Sequence, residues 1–164
     1  MRVRRAVLSD VPAVDDLLKA AAEGLGPAVF CRDEADFLAE HVEKAGFILL
    51  AEEDAPAGMV LVRFPDLAED HLGWALGWTP ERLVRACHLE SIAVHPRYRG
   101  RGLQRLLLQA AEEALSAEYA DLLATVAPEN IASLRNFRRM GYEVTAEVRK
   151  YGGYDRYILL KHRI

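Results

Sequence analysis

Cysteine is scarce in this chain: Cys31 and Cys87 are the only two among 164 residues. That excludes a disulfide framework and suits a reducing compartment, so a cytoplasmic location is expected. No apolar run approaches the roughly 18 residues that span a bilayer. The basic start Met1-Arg2-Val3-Arg4-Arg5 has no apolar signal-peptide segment after it. His41, His71, His88, His95 and His162 show no metal-ligand spacing, so no metal is expected. A Walker A loop would need a Gly-Lys-Ser/Thr ending, and none is present. Excess positive charge is missing as well. A net charge of -4 argues against general affinity for nucleic acid or an anionic membrane. Repeats, low-complexity tracts and linkers are absent. With 51% hydrophobic and 28% charged residues, the chain reads as a single soluble domain over 1–164, large enough to bury a core.

What is there is concentrated in Ser91-Ile92-Ala93-Val94-His95-Pro96-Arg97-Tyr98-Arg99-Gly100-Arg101-Gly102-Leu103-Gln104-Arg105. An apolar strand ends at a proline, an Arg/Gly loop follows, and an amphipathic helix begins. Two glycines let the backbone turn with no Cβ in the way, so successive amides can point into one small space. That space lies at the positive end of a helix, and arginines flank it. The combination reads as a pyrophosphate cradle. A dinucleotide fingerprint would need a third glycine near Gln104 and an acidic residue after a second strand, and neither fits.

The loop Arg99-Gly100-Arg101-Gly102-Leu103-Gln104 resembles the acyl-CoA loop of the GCN5-related N-acetyltransferase (GNAT) superfamily, written Gln/Arg-x-x-Gly-x-Gly/Ala. The family prefers Gly or Ala where this chain has Gln104, whose side chain would crowd the helix start or reach toward a phosphate. A second segment, Asn130-Ile131-Ala132-Ser133-Leu134-Arg135-Asn136-Phe137-Arg138-Arg139-Met140-Gly141-Tyr142, is similar to the family's other signature. That signature is an Asn, a small residue, an aromatic and then Gly-aromatic. Either segment alone is compatible with an ordinary capped helix. Together, in order and separated by a helix and a strand, they are hard to obtain by accident.

Periodicity supplies the remaining elements. Arg2–Val7 alternates like an edge strand. Ser9 or Asp10 caps a helix with Pro12 in its first turn and a stripe of Val11, Val14, Leu17, Leu18 and Ala21. Asp33 caps a second helix with Phe37, Leu38, His41 and Val42 inward. Phe47–Ala51 and Gly58–Phe64 are strands about a polar turn. Residues 65–84 lack periodicity, and a loop of that length is more often functional than idle. Trp74, Trp78 and Phe64 around it wall an apolar acceptor pocket or serve core or dimer packing. Strands at 87–94 and 121–126 flank a helix at 102–118 striped by Leu103, Leu106, Leu107, Ala110, Ala111, Ala114 and Leu115. A helix near 130–140 and strands 142–148 and 154–161 close the chain. The resemblance implies an α/β (α+β) fold with a mixed sheet of about seven strands, splayed between the fourth and fifth, and about four helices.

It also implies roles. Acetyl-CoA would pair its pantetheine arm with the strand backbone at Ile92, Ala93 and Val94. Arg99, Gly100, Arg101, Gly102, Leu103, Gln104 and Arg105 would hold the pyrophosphate. Asn130, Ser133 and Phe137 would border the thioester arm, although Asn130 also suits a helix N-cap. Transfer to an amine needs a proton acceptor, because an ammonium has no lone pair. Glu90 and His88, two apart on one strand face, are the catalytic candidates. They also read as the polar edge of a half-buried strand. Cys87 and His88 point to opposite faces and cannot form a nucleophilic pair.

Two family features are missing. Phe137 stands where many members have a tyrosine acid, and Thr125 stands where the ribosomal-protein branch has a glutamate. Tyr151 and Tyr154 are the available replacements for the acid. The expected function is acetyl transfer to a primary amine of a small metabolite or amino-acid-like acceptor, with a homodimer allowed for. A non-catalytic acyl-CoA-binding or sensing module is the alternative. An Arg/Gly RNA binder is a weaker third.

Overall fold

The computed structural model describes residues 1–26 and 28–163. Seven strands form one sheet in the order β1-β2-β3-β4-β5-β7-β6. They are β1 Arg2–Arg5, β2 Gly46–Glu52, β3 Pro56–Arg63, β4 Ala86–Val94, β5 Asp121–Val126, β6 Glu143–Lys150 and β7 Tyr154–His162. The helices are α1 Val11–Ala22, α2 Ala35–Glu43, the short α3 Pro80–Leu83, α4 Leu103–Ala114 and α5 Ile131–Arg139. The mixed, splayed sheet is therefore as expected. The fifth helix, α3, lies inside the 65–84 segment that reads as plain loop, because one turn is too short to show a period.

Each helix lies where its apolar stripe directs it. In α1 the stripe is the expected one, Val11, Val14, Leu17, Leu18 and Ala21, all buried. With Leu38 and Val42 of α2 it packs on Ile48, Leu50, Met59 and Leu61. The opposite face of the sheet carries α4 and α5 over Leu49, Val60, Val62, Cys87 and Leu122. Within α4, Leu108 is buried and Leu106 is 40% exposed, the reverse of the expected stripe. The 3.6-residue period admits either flank of the Leu103–Leu107–Ala111 line, and contact with the sheet decides between them. The 65–84 segment covers the sheet beside β5 and β7 through Leu72, Leu76 and Trp78. Trp78 carries Arg82 over its ring at 3.8 Å, and Phe64 stacks on Tyr119 at 4.5 Å. These aromatics serve packing.

Strand β4 departs from regularity in two linked ways. It runs parallel to β5 only over Ala86–His88, paired with Asp121–Leu123. Against β3 its register slips: Val62 lies opposite Leu89 and Leu61 opposite Ser91, leaving Glu90 as the extra residue of a bulge. The slip changes which face each side chain reaches. Cys87 and Leu89 face α4, whereas Ala93 joins the α1–α2 core and Ile92 and Val94 turn toward α4.

Candidate active site

Among the described residues, the β5-facing edge of β4 has no strand partner beyond His88, and a cleft of about 520 Å³ opens beside it. Its walls are Ile92, Ala93 and Val94 on one side and Asn130, Ala132, Ser133 and Asn136 on the other. Its end is Arg99, Gly100, Gly102, Leu103, Gln104 and Arg105. The sequence singles out eleven of these residues over two distant segments, and the fold brings them to one cleft. Backbone groups on the free strand edge and on the first turn of α4 offer hydrogen bonds that no helix or strand uses.

The cradle depends on its glycines. Gly100 and Gly102 take φ of +80° and +76°, the left-handed region that other residues avoid. Gly102 is the N-cap of α4, so the amides that follow it point into the cleft end. Arg99 ties the loop to α1 by donating to the Ala21 carbonyl at 3.1 Å. The Arg101 guanidinium turns away toward Glu53 at 3.8 Å, and Arg101 does not line the cleft.

Gln104 neither crowds the cradle nor points free. Its Nε2 donates to Ser133 Oγ at 2.8 Å, and its Oε1 accepts from Asn136 Nδ2 at 2.9 Å. A glutamine at that position clamps α4 to α5. Asn130 caps α5, accepting from the Ser133 amide at 3.2 Å, while also lining the cleft. Phe137 is buried at 2% exposure, edge-on to Tyr142 at 5.1 Å. It borders a second, smaller cavity instead.

That cavity, about 80 Å³, is lined by Phe30, Cys31, Glu90, Ser91, Thr125, Asn130, Ser133 and Tyr151 among others. A neighbouring one of about 40 Å³ shares Glu90, Thr125 and Tyr151 and adds Arg63, Asp70, His88 and Lys150. Glu90 therefore stands where the cleft, through Asn130 and Ser133, meets a polar chamber.

His88 is 2% exposed and both of its ring nitrogens are engaged. The Leu72 amide, which can only donate, reaches Nε2 at 3.3 Å. The ring hydrogen must then sit on Nδ1, which faces Glu90 Oε2 at 3.3 Å. Burial pushes the Glu90 carboxyl up, but the His88 hydrogen bond, the His88 ring and Arg63 outweigh it and hold Glu90 below its ordinary value. Arg63 itself is gripped by both oxygens of Asp70 at 2.9 Å and lies 4.0 Å from Glu90.

Opposite Glu90, Tyr151 shares a 3.0 Å hydrogen bond with Thr125 Oγ1. Burial, with Glu90 and Asp33 nearby, pushes its phenol up to about 12, so it keeps its proton at neutral pH. The backbone of Tyr151 is left-handed at φ +55°, a strained conformation for a non-glycine.

Sequence reasoning missed Asp33. Read as a helix cap, it is displaced from that role by Glu34, the true N-cap of α2. Asp33 turns inward instead, and its Oδ2 is buried with no hydrogen-bond partner. No spacing rule ties a residue before α2 to the interior, so only the fold shows that this oxygen is buried.

Among the described residues no cluster of His, Cys, Asp and Glu could hold a metal. Among the same residues no helix is long and apolar enough to cross a membrane.

A sequence model described as the Acetyltransferase (GNAT) family matches residues 12–142. No curated protein sequence matches the chain. Solved structures share the fold at low identity. An acetyltransferase of the GNAT family from Streptococcus pneumoniae superposes with a TM-score of 0.76 at 20% identity, covering 99% of both chains. The yncA protein of Salmonella typhimurium, solved with its cofactor acetyl-CoA, gives 0.72 at 21%, covering 99% of this chain and 93% of that one. The ribosomal-protein-S18-alanine N-acetyltransferase of Escherichia coli gives 0.73 at 17%, covering 98% and 92%.

Proposed function

The chain belongs to the acetyltransferase (GNAT) family, and from that premise we propose that it transfers an acetyl group from acetyl-CoA directly to a primary amine of a small, amino-acid-like acceptor. The observation that carries this reading is a continuous path. A glycine–arginine cradle leads along the unpaired edge of β4 to a carboxylate at the mouth of a polar chamber.

In this reading the amides after Gly100 and Gly102, with Arg99 and Arg105, bind the pyrophosphate. The backbone of Ile92–Val94 pairs with the pantetheine arm as a strand would. Glu90 receives the acceptor's ammonium group and draws off a proton. The amine nitrogen then attacks the thioester carbonyl and a C–N bond forms; as the tetrahedral intermediate collapses the C–S bond breaks, and the nitrogen's second proton replaces the one that Tyr151 gives to the thiolate. His88 acts through Glu90: its Nδ1–H holds the carboxylate oxygen, and its own Nε2 is taken by Leu72. Tyr151 supplies the proton for the departing thiolate, a role that Phe137 cannot fill. Thr125 leaves that position of β5 without a carboxylate, so acceptance of a ribosomal-protein N-terminus finds no support in this site.

The chamber is small, and its ionic groups are of both signs. Those features favour a compact zwitterionic or cationic amine. The test is release of CoA thiol from acetyl-CoA across a panel of amino acids, polyamines and peptides. Turnover only with peptides would overturn the small-acceptor part. A second reading, a non-catalytic acyl-CoA sensor, draws on Phe137 alone. It predicts tight CoA binding with no turnover of any amine.

A further inference from the structure

The cavity of about 40 Å³ beside Glu90 is lined by a cation that the transfer step above does not use. On β6, Ala146 and Val148 pack inward against the cluster of Leu72, Ala86, Leu123 and Ile158. Lys150 comes two residues further on the same strand and so continues that inward row. It is half-buried, and it lines the cavity with Arg63, Asp70, His88 and Glu90. The next residue, Tyr151, would face the other way in a regular strand. Its left-handed backbone, at φ +55°, begins the turn instead, and its side chain lines the same cavity as Lys150. The strain at Tyr151 thus accompanies the delivery of an ammonium and a phenol to one small space.

Charge pairing singles Lys150 out. Both terminal nitrogens of Arg63 are gripped by Asp70 at 2.9 Å, so that cation is matched within the protein. The ion pairs of this cavity join Arg63 to Asp70 and Glu90, and His88 to Glu90; among the described residues none takes in Lys150. A partly desolvated ammonium with no counter-charge gains from a bound anion. We propose that Lys150 sets the class of acceptor: its ammonium binds the carboxylate of an amino acid whose own amine rests on Glu90. The inference deepens the acetyl-transfer reading above and rests on it. The space is of the right order, since about 40 Å³ admits roughly two or three waters, the bulk of one carboxylate group.

The order of the cavities fits that orientation. The chamber of about 80 Å³ joins the cofactor cleft through Ile92, Asn130 and Ser133, and joins the smaller cavity through Glu90, Thr125 and Tyr151. The cleft and the smaller cavity share no lining residue. An ammonium on Glu90 therefore lies on the cofactor side, and a carboxylate reaching Lys150 lies on the far side. Charge balances as well. With Arg63 and Asp70 cancelling, Glu90 and Lys150 remain for the two ends of a zwitterion. A simple amine would leave Lys150 without a partner, and a polyamine would set a second cation against it. An inward-pointing lysine on an edge strand, which β6 is, can also deter pairing with another sheet. That role predicts self-association on its removal and no change in acceptor choice.

The test assays each amino acid of the acceptor panel beside its carboxamide, which keeps the shape and removes the charge. Wild type should favour the acid by about 10–100-fold in kcat/KM, the range for a hydrogen bond between charged groups. In Lys150→Met that preference should be lost, chiefly through a higher KM for the acid, with CoA affinity held within about twofold. Lys150→Arg should restore part of the preference, and Lys150→Glu should reverse it. Equal use of acid and amide by wild type, or an undiminished preference in folded Lys150→Met, overturns the proposal while acetyl transfer stands. Self-association of Lys150→Met with its preference intact would make the lysine a guard of the β6 edge instead. If no amine is turned over at all, the acetyl-transfer reading fails first and the proposal falls with it.

Discussion

Gly102→Glu tests the cradle directly, and the structure sets its size. At φ +76° any side chain costs about 1–2 kcal/mol. A Cβ there would meet only Arg105 Nη2, at 3.6 Å, so no clash adds to that cost. For a domain of this length the strain should lower Tm by roughly 2–8 °C and leave the protein folded. The new carboxylate is another matter. About 5 Å from a phosphate charge, at an effective dielectric constant near 20, each pair of unit charges repels by about 3 kcal/mol. Affinity for CoA should therefore fall at least about a hundredfold. Gly102→Gln carries the same backbone strain and similar bulk without the charge. It separates the effects: the glutamate should lose affinity well beyond the glutamine, and the gap should narrow at high salt. Isothermal calorimetry with CoA, beside thermal unfolding of both variants, makes the measurement. Unchanged affinity in a folded Gly102→Glu protein would refute the cradle and the cofactor assignment with it.

Glu90→Gln should lower kcat by about 10²–10⁴ while leaving CoA affinity within about twofold, as loss of a positioned proton acceptor does. Equal losses in both would mark a structural role. Tyr151→Phe should cost about tenfold or more in kcat with the pH profile unmoved, because the phenol stays protonated well past neutrality. A wild-type rate would show that the thiolate leaves unaided. Gln104→Ala breaks the α4–α5 clamp and should cost about 1–2 kcal/mol of stability, read as a lower urea midpoint. His71 predicts a pH dependence of folding. Burial and the neighbouring His88 hold it at about 4, against an ordinary 6.5. Its ring accepts from the Gly73 amide and bonds the Leu83 carbonyl, a pattern that only the neutral form satisfies. Its contribution is complete above pH 6.5 and lost as pH falls toward 4. Tm should drop across that window, and the drop should shrink in His71→Gln.

Much of this was legible in the sequence, for reasons that differ by region. Helices α1, α4 and α5 announce themselves because burying one face imposes a 3.6-residue period on the chain. The cradle is legible because a left-handed turn needs glycine at fixed places, and Gly100 and Gly102 occupy them. Where a choice depended on a partner element, the chain was silent. Nothing in the order of residues tells that Leu108 is buried and Leu106 exposed. Nothing tells that Gln104 meets Ser133 and Asn136 across two helices, or that Leu72 captures the His88 ring. Asp33 is the clearest case. Its local pattern fits a cap, and the tertiary fold overrides it by giving that place to Glu34.

The bulge at Glu90 joins these observations. In a regular strand, residues alternate faces, and every backbone group of β4 would pair with β3 on one side and β5 on the other. One extra residue changes the parity, so Leu89 and Ala93 belong to opposite cores although both are odd-numbered. It also comes just past the last β4–β5 pair, at His88. The strand therefore leaves its parallel neighbour and presents a free edge over Ile92–Val94 at the same point where it presents a carboxylate. Bulges concentrate beside active sites because they re-aim a side chain without breaking the sheet. Here the two consequences suit one another. The free edge suits an extended ligand arm, and the re-aimed Glu90 stands where the end of that arm would lie. The register shift against β3 and the end of pairing with β5 thus fall within two residues of each other on one strand. The bulge's location, and not the motif alone, is what ties the cofactor half of the site to the acceptor half.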